Sequence, residues 1–266
     1  MPEGPEAKIA SDFLNLKFNK SPITNVESST DYFKEKYSYP LNQLKKHLIG
    51  NFLNSFTIGK QTFIHLIDDL FYNYHLGMTG SWIDKYQKHC HLKISNNENS
   101  LYFFDIRKFG NHKIISKSEI FNKYKCEYDC LNKFYNYKSH LKFLKKNVSF
   151  SKNICVLLLD QKFFPGIGNY IKSEVLYLSR IHPDTSWGDL TFNKIKKLLI
   201  NSFDVMHKSY KSGGAELKDF KNPFKKSIFH LNVYGKKNDL NGNIILSKKT
   251  KDQRTTWWCP KIQKII

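Results

Sequence analysis

The sequence predicts an α+β fold: a β-sandwich domain with a leading helix, then a helical domain that closes on short strands. Three observations carry this reading. Residues 7–18 place Ala7, Ile9, Phe13, Leu14 and Leu16 at roughly helical spacing. Residues 22–116 change to short alternating segments, with Phe63, His65 and Ile67 in alternation, Leu92 and Ile94 likewise, and an apolar run from Leu101 to Phe104. Asn96, Asn97, Glu98 and Asn99 between the last two read as a hairpin turn, and the stretch as a β-sandwich or flattened barrel. Residues 117–148 are charged and aromatic without clean periodicity, and the domain junction is expected there. Beyond it Ile154, Leu157, Leu158 and Gln161 suggest a helix that stops before Pro165 and Gly166. A second helix is expected from Asn169 through Tyr177, and a third from Thr191, an N-cap, to His207. From Phe229 onward short strand-like pieces are broken by Gly235 and Gly242. The expected domains are residues 1–135, 136–227 and 228–266.

Composition bounds the partner. With 43 Lys+Arg against 23 Asp+Glu, the chain of 266 residues carries a formal charge of +20. That excess calls for a polyanion, and nucleic acid is the first candidate because each neutralised phosphate releases counterions. A membrane is the weaker candidate: no segment reaches the ~18 uninterrupted apolar residues of a spanning helix, and no basic amphipathic anchor stands out. The first residues hold Glu3, Glu6 and Lys8 rather than a basic and then apolar leader, so an intracellular location at DNA, in a nucleus or another DNA-containing compartment, is expected. Five cysteines, an odd number at irregular spacing, predict reduced thiols rather than a disulfide framework.

The chemistry begins at the first residues, Met1-Pro2-Glu3-Gly4-Pro5-Glu6. Trimming the methionine from a small second residue leaves a secondary amine, the one encoded group that can attack an electrophilic carbon and end as a cationic imine. A free α-amino group titrates near ~7.7–8.0 against ~10.4 for lysine, so far more of it is nucleophilic at neutral pH. Glu3 and Glu6 supply carboxylates nearby, although an acid at a helix start is favourable through the macrodipole alone. The turn Gly166-Ile167-Gly168-Asn169 opens a helix, where glycines admit a close approach and unpaired N–H groups meet a phosphate. Lys60 follows Gly59 just before a strand. Asp105-Ile106-Arg107-Lys108-Phe109-Gly110 sets a cation and an aromatic two positions apart on one side of an extended segment, a pair suited to a wedge. His75-Leu76-Gly77-Met78-Thr79-Gly80 puts a flexible apolar side chain between glycines. Arg254 lies between two short apolar segments, where a hairpin tip would let it fork onto phosphates.

Together these stretches resemble the formamidopyrimidine-DNA glycosylase/endonuclease VIII family of base-excision repair enzymes. The match runs through MPEGPE, GK at 59–60, HLGMTGS at 75–81, DIRKFG at 105–110, LLDQKFFPGIGNYIKSE at 158–174, GGAELKDF at 213–220, VYG at 233–235 and QRTTWWCP at 253–260. The resemblance implies a helix-two-turn-helix in the second domain and a terminal β-hairpin finger. It also implies a bifunctional glycosylase and abasic-site lyase in which Pro2 attacks C1′ of the sugar, Glu3 transfers a proton and Glu6 orients the amine. Lys60, Asn169 and Arg254 would grip phosphates, with Gly166 and Gly168 shaping the turn, while Met78, Arg107 and Phe109 would fill the void left by an everted nucleotide. Residues 213–220 would cover the everted base, and Tyr234 and Lys236 would line its pocket. The family's finger holds zinc with two C-x2-C pairs. Here those positions read Asn238, Asn241, Cys259 and Ile262, which resembles the zincless, eukaryotic-type endonuclease VIII-like branch. The implied partner is double-stranded DNA containing oxidised bases, mainly pyrimidines, or abasic sites, with single-stranded DNA as an additional candidate. No cofactor or metal is expected, and a monomer is. Two rival readings are a glycosylase for oxidised purines and a non-catalytic binder of damaged DNA.

Overall fold

Helix α1 (Gly4–Lys17) opens the chain with Glu3 as its N-cap and Pro5 in its first turn. It is fastened to strand β2 (Ser55–Ile58) as though it were a neighbouring strand: Asn15 donates to the Ser55 carbonyl (2.8 Å) and accepts from the Ser55 N–H (2.7 Å). The computed structural model describes residues 1–215, 222–224 and 229–265. Contacts divide the chain into one unit of Met1–Tyr124 with Glu216–Ile228 and a second of Lys125–Ala215 with Phe229–Ile266.

The first unit contains two four-stranded antiparallel sheets. One runs in the order β1 (Asn25–Ser28), β6 (Cys90–Ser95), β7 (Ser100–Phe104), β5 (Ser81–Ile83). The other runs β2, β3 (Gln61–Ile67), β4 (Leu70–His75), β8 (Asn111–Ser116). The expected turn at 96–99 is present, its tip closed by Asn96 Oδ1 accepting from the N–H groups of Glu98 and Asn99. Inward residues of both sheets, among them Ile64, Tyr74, Trp82, Leu92, Ile94 and Phe103, share one core with Leu14 and Phe18. Each such side chain contributes roughly 1.5–3 kcal/mol by leaving water. The purely stranded reading of 22–116 needs correction, because α2 (Asp31–Lys36) and α3 (Ser38–Leu48) stand within it. Thr30 caps α2, and Leu41, Leu44 and Leu48 bury one stripe of α3. A helical i, i+3, i+7 pattern was there to be read among the lysines.

The stretch 117–148 is likewise more regular than its composition suggests. It holds α4 (Lys117–Lys123) and α5 (Tyr137–Asn147), the latter capped by Asn136 and burying His140, Leu141 and Leu144. A histidine at a core position breaks the apolar period that a sequence scan looks for. The three later helices fall where the spacing predicts them: α6 (Ile154–Leu159), α7 (Asn169–Ser179) and α8 (Phe192–Lys211), with Thr191 as N-cap of the last. Strands β9 (Leu246–Lys249) and β10 (Thr255–Trp258) pair as a hairpin. The molecule is thus α+β, with two sheets and α1 to α4 in the first unit and α5 to α8 with the β9–β10 hairpin in the second.

Two interior histidines make both units acid-sensitive. His112 sits in the core beside Tyr72, whose hydroxyl meets its Nδ1 at 2.6 Å, and burial drives its pKa well below the ordinary value. His140 lies 2.7 Å from the Phe163 carbonyl through Nε2, and burial lowers its pKa to about 4. Both are neutral when folded and titrate near ~6.5 when unfolded. The stability they contribute is therefore present above that value and is lost as pH falls through 6.5 toward the folded value. Urea melts at pH 7 and pH 4.5 are expected to differ by roughly 2–3 kcal/mol from His140 alone. His140→Gln should shrink the decline by about that amount and leave the share from His112, and an equally steep decline in the variant would show that His140 does not contribute.

Candidate active site

In the first unit, the N-terminus of α1 faces a cleft of about 300 Å³ whose walls include Pro2, Glu3, Lys60, His75, Met78 and Phe109. The local sequence explains how these distant residues meet. Glu6 reaches back to accept the Glu3 N–H at 2.7 Å, one half of a capping box that fixes the first turn and both carboxylates. Glu3 and Glu6 are almost wholly buried. Since α1 is pinned along β2, its N-terminus is held in register with the turn that leaves β2. That turn is Gly59-Lys60, with Ile58 opposite Gln61 and Gly59 at φ 59°. A two-residue hairpin loop of this kind needs glycine at its first position, which delivers Lys60 to the cleft.

The opposite wall is built from two loops that touch back to back. A Cβ on Gly77, which has φ 61°, would lie 2.7 Å from the carbonyl carbon of Phe109, so only glycine lets the loops approach. Asp105, fully buried, joins them: one carboxylate oxygen accepts from the Thr79 hydroxyl and the other from the Gly110 N–H (2.7 Å), and His91 Nε2 lies 2.9 Å from its carbonyl. Thr79 in turn accepts the Arg107 N–H at 3.1 Å. The outcome is a cluster of the three expected wedge residues. Arg107 donates to Met78 Sδ at 3.3 Å and stands 5.3 Å from the centre of the Phe109 ring, which is 52% exposed.

Asp105, Thr79 and His75 were not singled out by sequence reasoning. His75 lines the cleft, and its Nδ1 accepts the Gly77 N–H at 3.1 Å. Burial lowers its pKa, which favours the neutral ring with Nε2 as the donor. Only its place at the head of the glycine-flanked motif could have marked it.

In the second unit, the turn before α7 is stapled by Gln161, which accepts the Gly166 N–H (3.0 Å) and donates to the Ile167 carbonyl (2.9 Å). Gly166 takes φ 90°, and Gly168 is the N-cap of α7. Asn169, the first residue of that helix, donates to the Thr255 carbonyl at 2.9 Å, which ties the helix start to the hairpin whose exposed turn carries Arg254. These four residues therefore belong to one locality. Tyr234 packs on Trp257, centroids 4.4 Å apart, and its N–H donates to Glu174 at 2.9 Å. Glu174, fully buried on α7, also accepts the N–H groups of Asn232 and Val233 and the Asn232 side-chain amide. Of the segment expected to cover an everted base, Gly213, Gly214 and Ala215 are described, and residues 216–220 lie outside the described residues.

The hairpin's chemistry does not suit zinc. Residues 236–245 contain neither cysteine nor histidine. Asn238 donates to the Gly242 carbonyl, and Asp239 accepts the N–H groups of Asn241 and Asn243 together with the Tyr177 hydroxyl. Cys259 is buried with Val233 and Ile245, packed by Tyr177, Trp257 and Ile262. One thiol, two amides and an aliphatic side chain offer no tetrahedral donor set. Among the described residues no group of three or more His, Cys, Asp or Glu could hold a metal ion. No helix among them is long and apolar enough to cross a membrane.

Comparison with known proteins bears on this arrangement. Residues 1–112 match the formamidopyrimidine-DNA glycosylase N-terminal domain, and residues 129–221 match the formamidopyrimidine-DNA glycosylase H2TH domain. A formamidopyrimidine-DNA glycosylase of Rickettsia massiliae is 33% identical over 283 residues, covering 99% of this chain and 97% of its own. That of a Wolbachia sp. from Brugia malayi is 31% identical, covering 99% and 100%. Among solved structures, Lactococcus lactis Fpg in complex with DNA containing an abasic site superposes with a TM-score of 0.83 at 26% identity, over 99% of this chain and 100% of that one. Wild-type Lactococcus lactis Fpg in complex with DNA containing an oxidised pyrimidine gives 0.81 at the same identity and coverage. Sheets, helices and terminal hairpin thus follow one shared architecture from end to end. The chain belongs to the formamidopyrimidine-DNA glycosylase family.

Proposed function

We propose that this protein is a bifunctional DNA glycosylase and abasic-site lyase of base-excision repair, with Pro2 as its nucleophile. The observation that carries the reading is the cleft in which Pro2, Glu3, Lys60, Met78 and Phe109 share one recess. With the methionine removed, the Pro2 nitrogen bonds to C1′ of an everted nucleotide as the N-glycosidic bond breaks and the base leaves with a proton. The sugar's C1′–O4′ bond opens, O4′ takes a proton relayed through Glu3, and the nitrogen becomes an iminium. The iminium acidifies C2′, whose proton is lost as the 3′ phosphate departs, and a second elimination expels the 5′ phosphate. Hydrolysis of the imine then returns the free amine. Glu6 holds the first turn through the Glu3 N–H. Lys60 in the first unit, and Asn169 and Arg254 in the second, contact phosphates around the lesion, while Met78, Arg107 and Phe109 occupy the vacated stack. Tyr234 borders the base.

The partner is duplex DNA carrying oxidised or ring-opened bases or abasic sites, which the formal charge of +20 favours. The preference for oxidised pyrimidines expected from the sequence rests on the likeness to the zincless endonuclease VIII-like branch, supported by the donor-poor finger. The relatives' names favour ring-opened purines instead. An incision panel with oxidised pyrimidine, 8-oxoguanine, ring-opened guanine and abasic duplexes, run with and without borohydride, tests both levels. A borohydride-dependent covalent adduct on lesion DNA is expected. A protein that binds these duplexes and never crosslinks is a non-catalytic binder. Faster cleavage of ring-opened purine than of oxidised pyrimidine removes the pyrimidine preference.

A further inference from the structure

The five-residue turn between β9 and β10 is held from beneath by an ion pair that neither the catalytic scheme nor the motifs account for. Asp252, at the centre of the turn, contacts Lys172 on α7, and the two side chains are 4% and 0% exposed. The same carboxylate accepts from the Thr250 hydroxyl and from the Arg254 N–H (3.3 Å). Thr250 closes the turn by donating its own N–H to the Arg254 carbonyl at 3.0 Å, and Gln253 takes a left-handed φ of 62° to permit the tight reversal. Lys172 stands one helical turn from Asn169, whose side chain grips Thr255 on the far side of Arg254. Arg254 is therefore bracketed: its N–H is fixed through Asp252 to Lys172, and the next carbonyl is fixed to Asn169. Both anchors are on α7.

We infer that Lys172 and Asp252 form a positioning latch that presents Arg254 beside Asn169, so that one helix sets both phosphate contacts. The inference rests on the function proposed above. A buried ion pair is weak evidence for stability, since apolar replacements of such pairs are often neutral or stabilising. Its effect is better sought in geometry. An arginine fork matches a phosphate only within a narrow range of orientation, so a turn free to relax loses the contact while the fold survives.

The test is a double-mutant cycle on binding to a duplex with a tetrahydrofuran abasic analogue. The combined variant Lys172→Met with Asp252→Asn leaves no unpaired buried charge. It is expected to melt within a few degrees of wild type, to bind about tenfold more weakly, and to keep its single-turnover rate at saturating lesion DNA within about threefold. Arg254→Ala should weaken binding in the wild-type background but cost no more than about twofold in the combined variant, because the contact is already lost. Full additivity of the two changes overturns the latch, as does wild-type affinity in the combined variant. Should that variant fail to fold, Lys172→Leu with Asp252→Ser, which likewise leaves no unpaired buried charge, is scored by the salt dependence of binding of its folded fraction. The slope should fall by about one phosphate contact, and an unaltered slope overturns the inference. Borohydride crosslinking by the wild type separates the two levels. A wild type that binds without crosslinking sinks the catalytic reading, whereas a crosslinking wild type with additive variants sinks only the latch.

Discussion

Strand cleavage falls at least ~10³-fold when the Pro2 nitrogen is withdrawn, because an amine displaced by one residue no longer stands where Pro2 meets C1′. Pro2→Leu is the decisive form of the experiment. A bulky second residue prevents removal of Met1, so the terminal amine moves one residue away and the nitrogen at position 2 becomes an amide without a nucleophilic lone pair. The borohydride adduct should vanish together with cleavage. Binding to the tetrahydrofuran duplex should stay within a few fold, since Pro2 supplies a bond rather than affinity. Mass spectrometry of the intact variant confirms retention of Met1. A variant that keeps its methionine, folds and still nicks abasic DNA at the wild-type rate would falsify the assignment of Pro2.

How much of this was legible beforehand divides along a physical line. Glycine, proline and capping residues act within a few positions, so the hairpin at 96–99, the start of α7 and the N-cap at Thr191 could be placed from the letters alone. Pro2, Glu3, Lys60, Met78 and Phe109 of the cleft could be named as well, because each stands in a short motif whose backbone demands are local. The linkers between motifs were not legible. Asp105 was visible within its motif, but its grip on Thr79 depends on two loops meeting across 26 positions of sequence. Lys172 and Asp252 lie 80 residues apart, and in a chain with 43 basic residues one more lysine on a helix reads as solvated. Burial, which the letters do not record, is what separates Lys172 from the rest. Helices α2 and α5 were missed because neither shows an apolar period: α2 buries only Phe33, and in α5 His140 takes a core position among lysines.

Glu3 poses the harder question, since its carboxylate has a structural duty that would explain its presence without any chemistry. It is the N-cap of α1, and Glu6 returns the contact through the Glu3 N–H. Glu3→Gln separates the duties. Glutamine at this position keeps the backbone N–H that Glu6 accepts and retains a side-chain oxygen able to meet the first-turn donors, but it has no proton to relay. Base release under single-turnover conditions should therefore fall ~10²–10⁴-fold, while affinity for the abasic analogue stays within about twofold. Cleavage of a pre-formed abasic site should fall less. There the sugar already exchanges between its ring and an open aldehyde, so Pro2 can form the imine without assisted opening of C1′–O4′. The split between the two substrates is the signature, because a damaged cap would loosen the first turn, displace Pro2 and depress both reactions alike. Equal losses on the two substrates, or a variant with near-normal base release, would return Glu3 to the role of a helix cap, and the proton would then have to come from another group that lines the cleft.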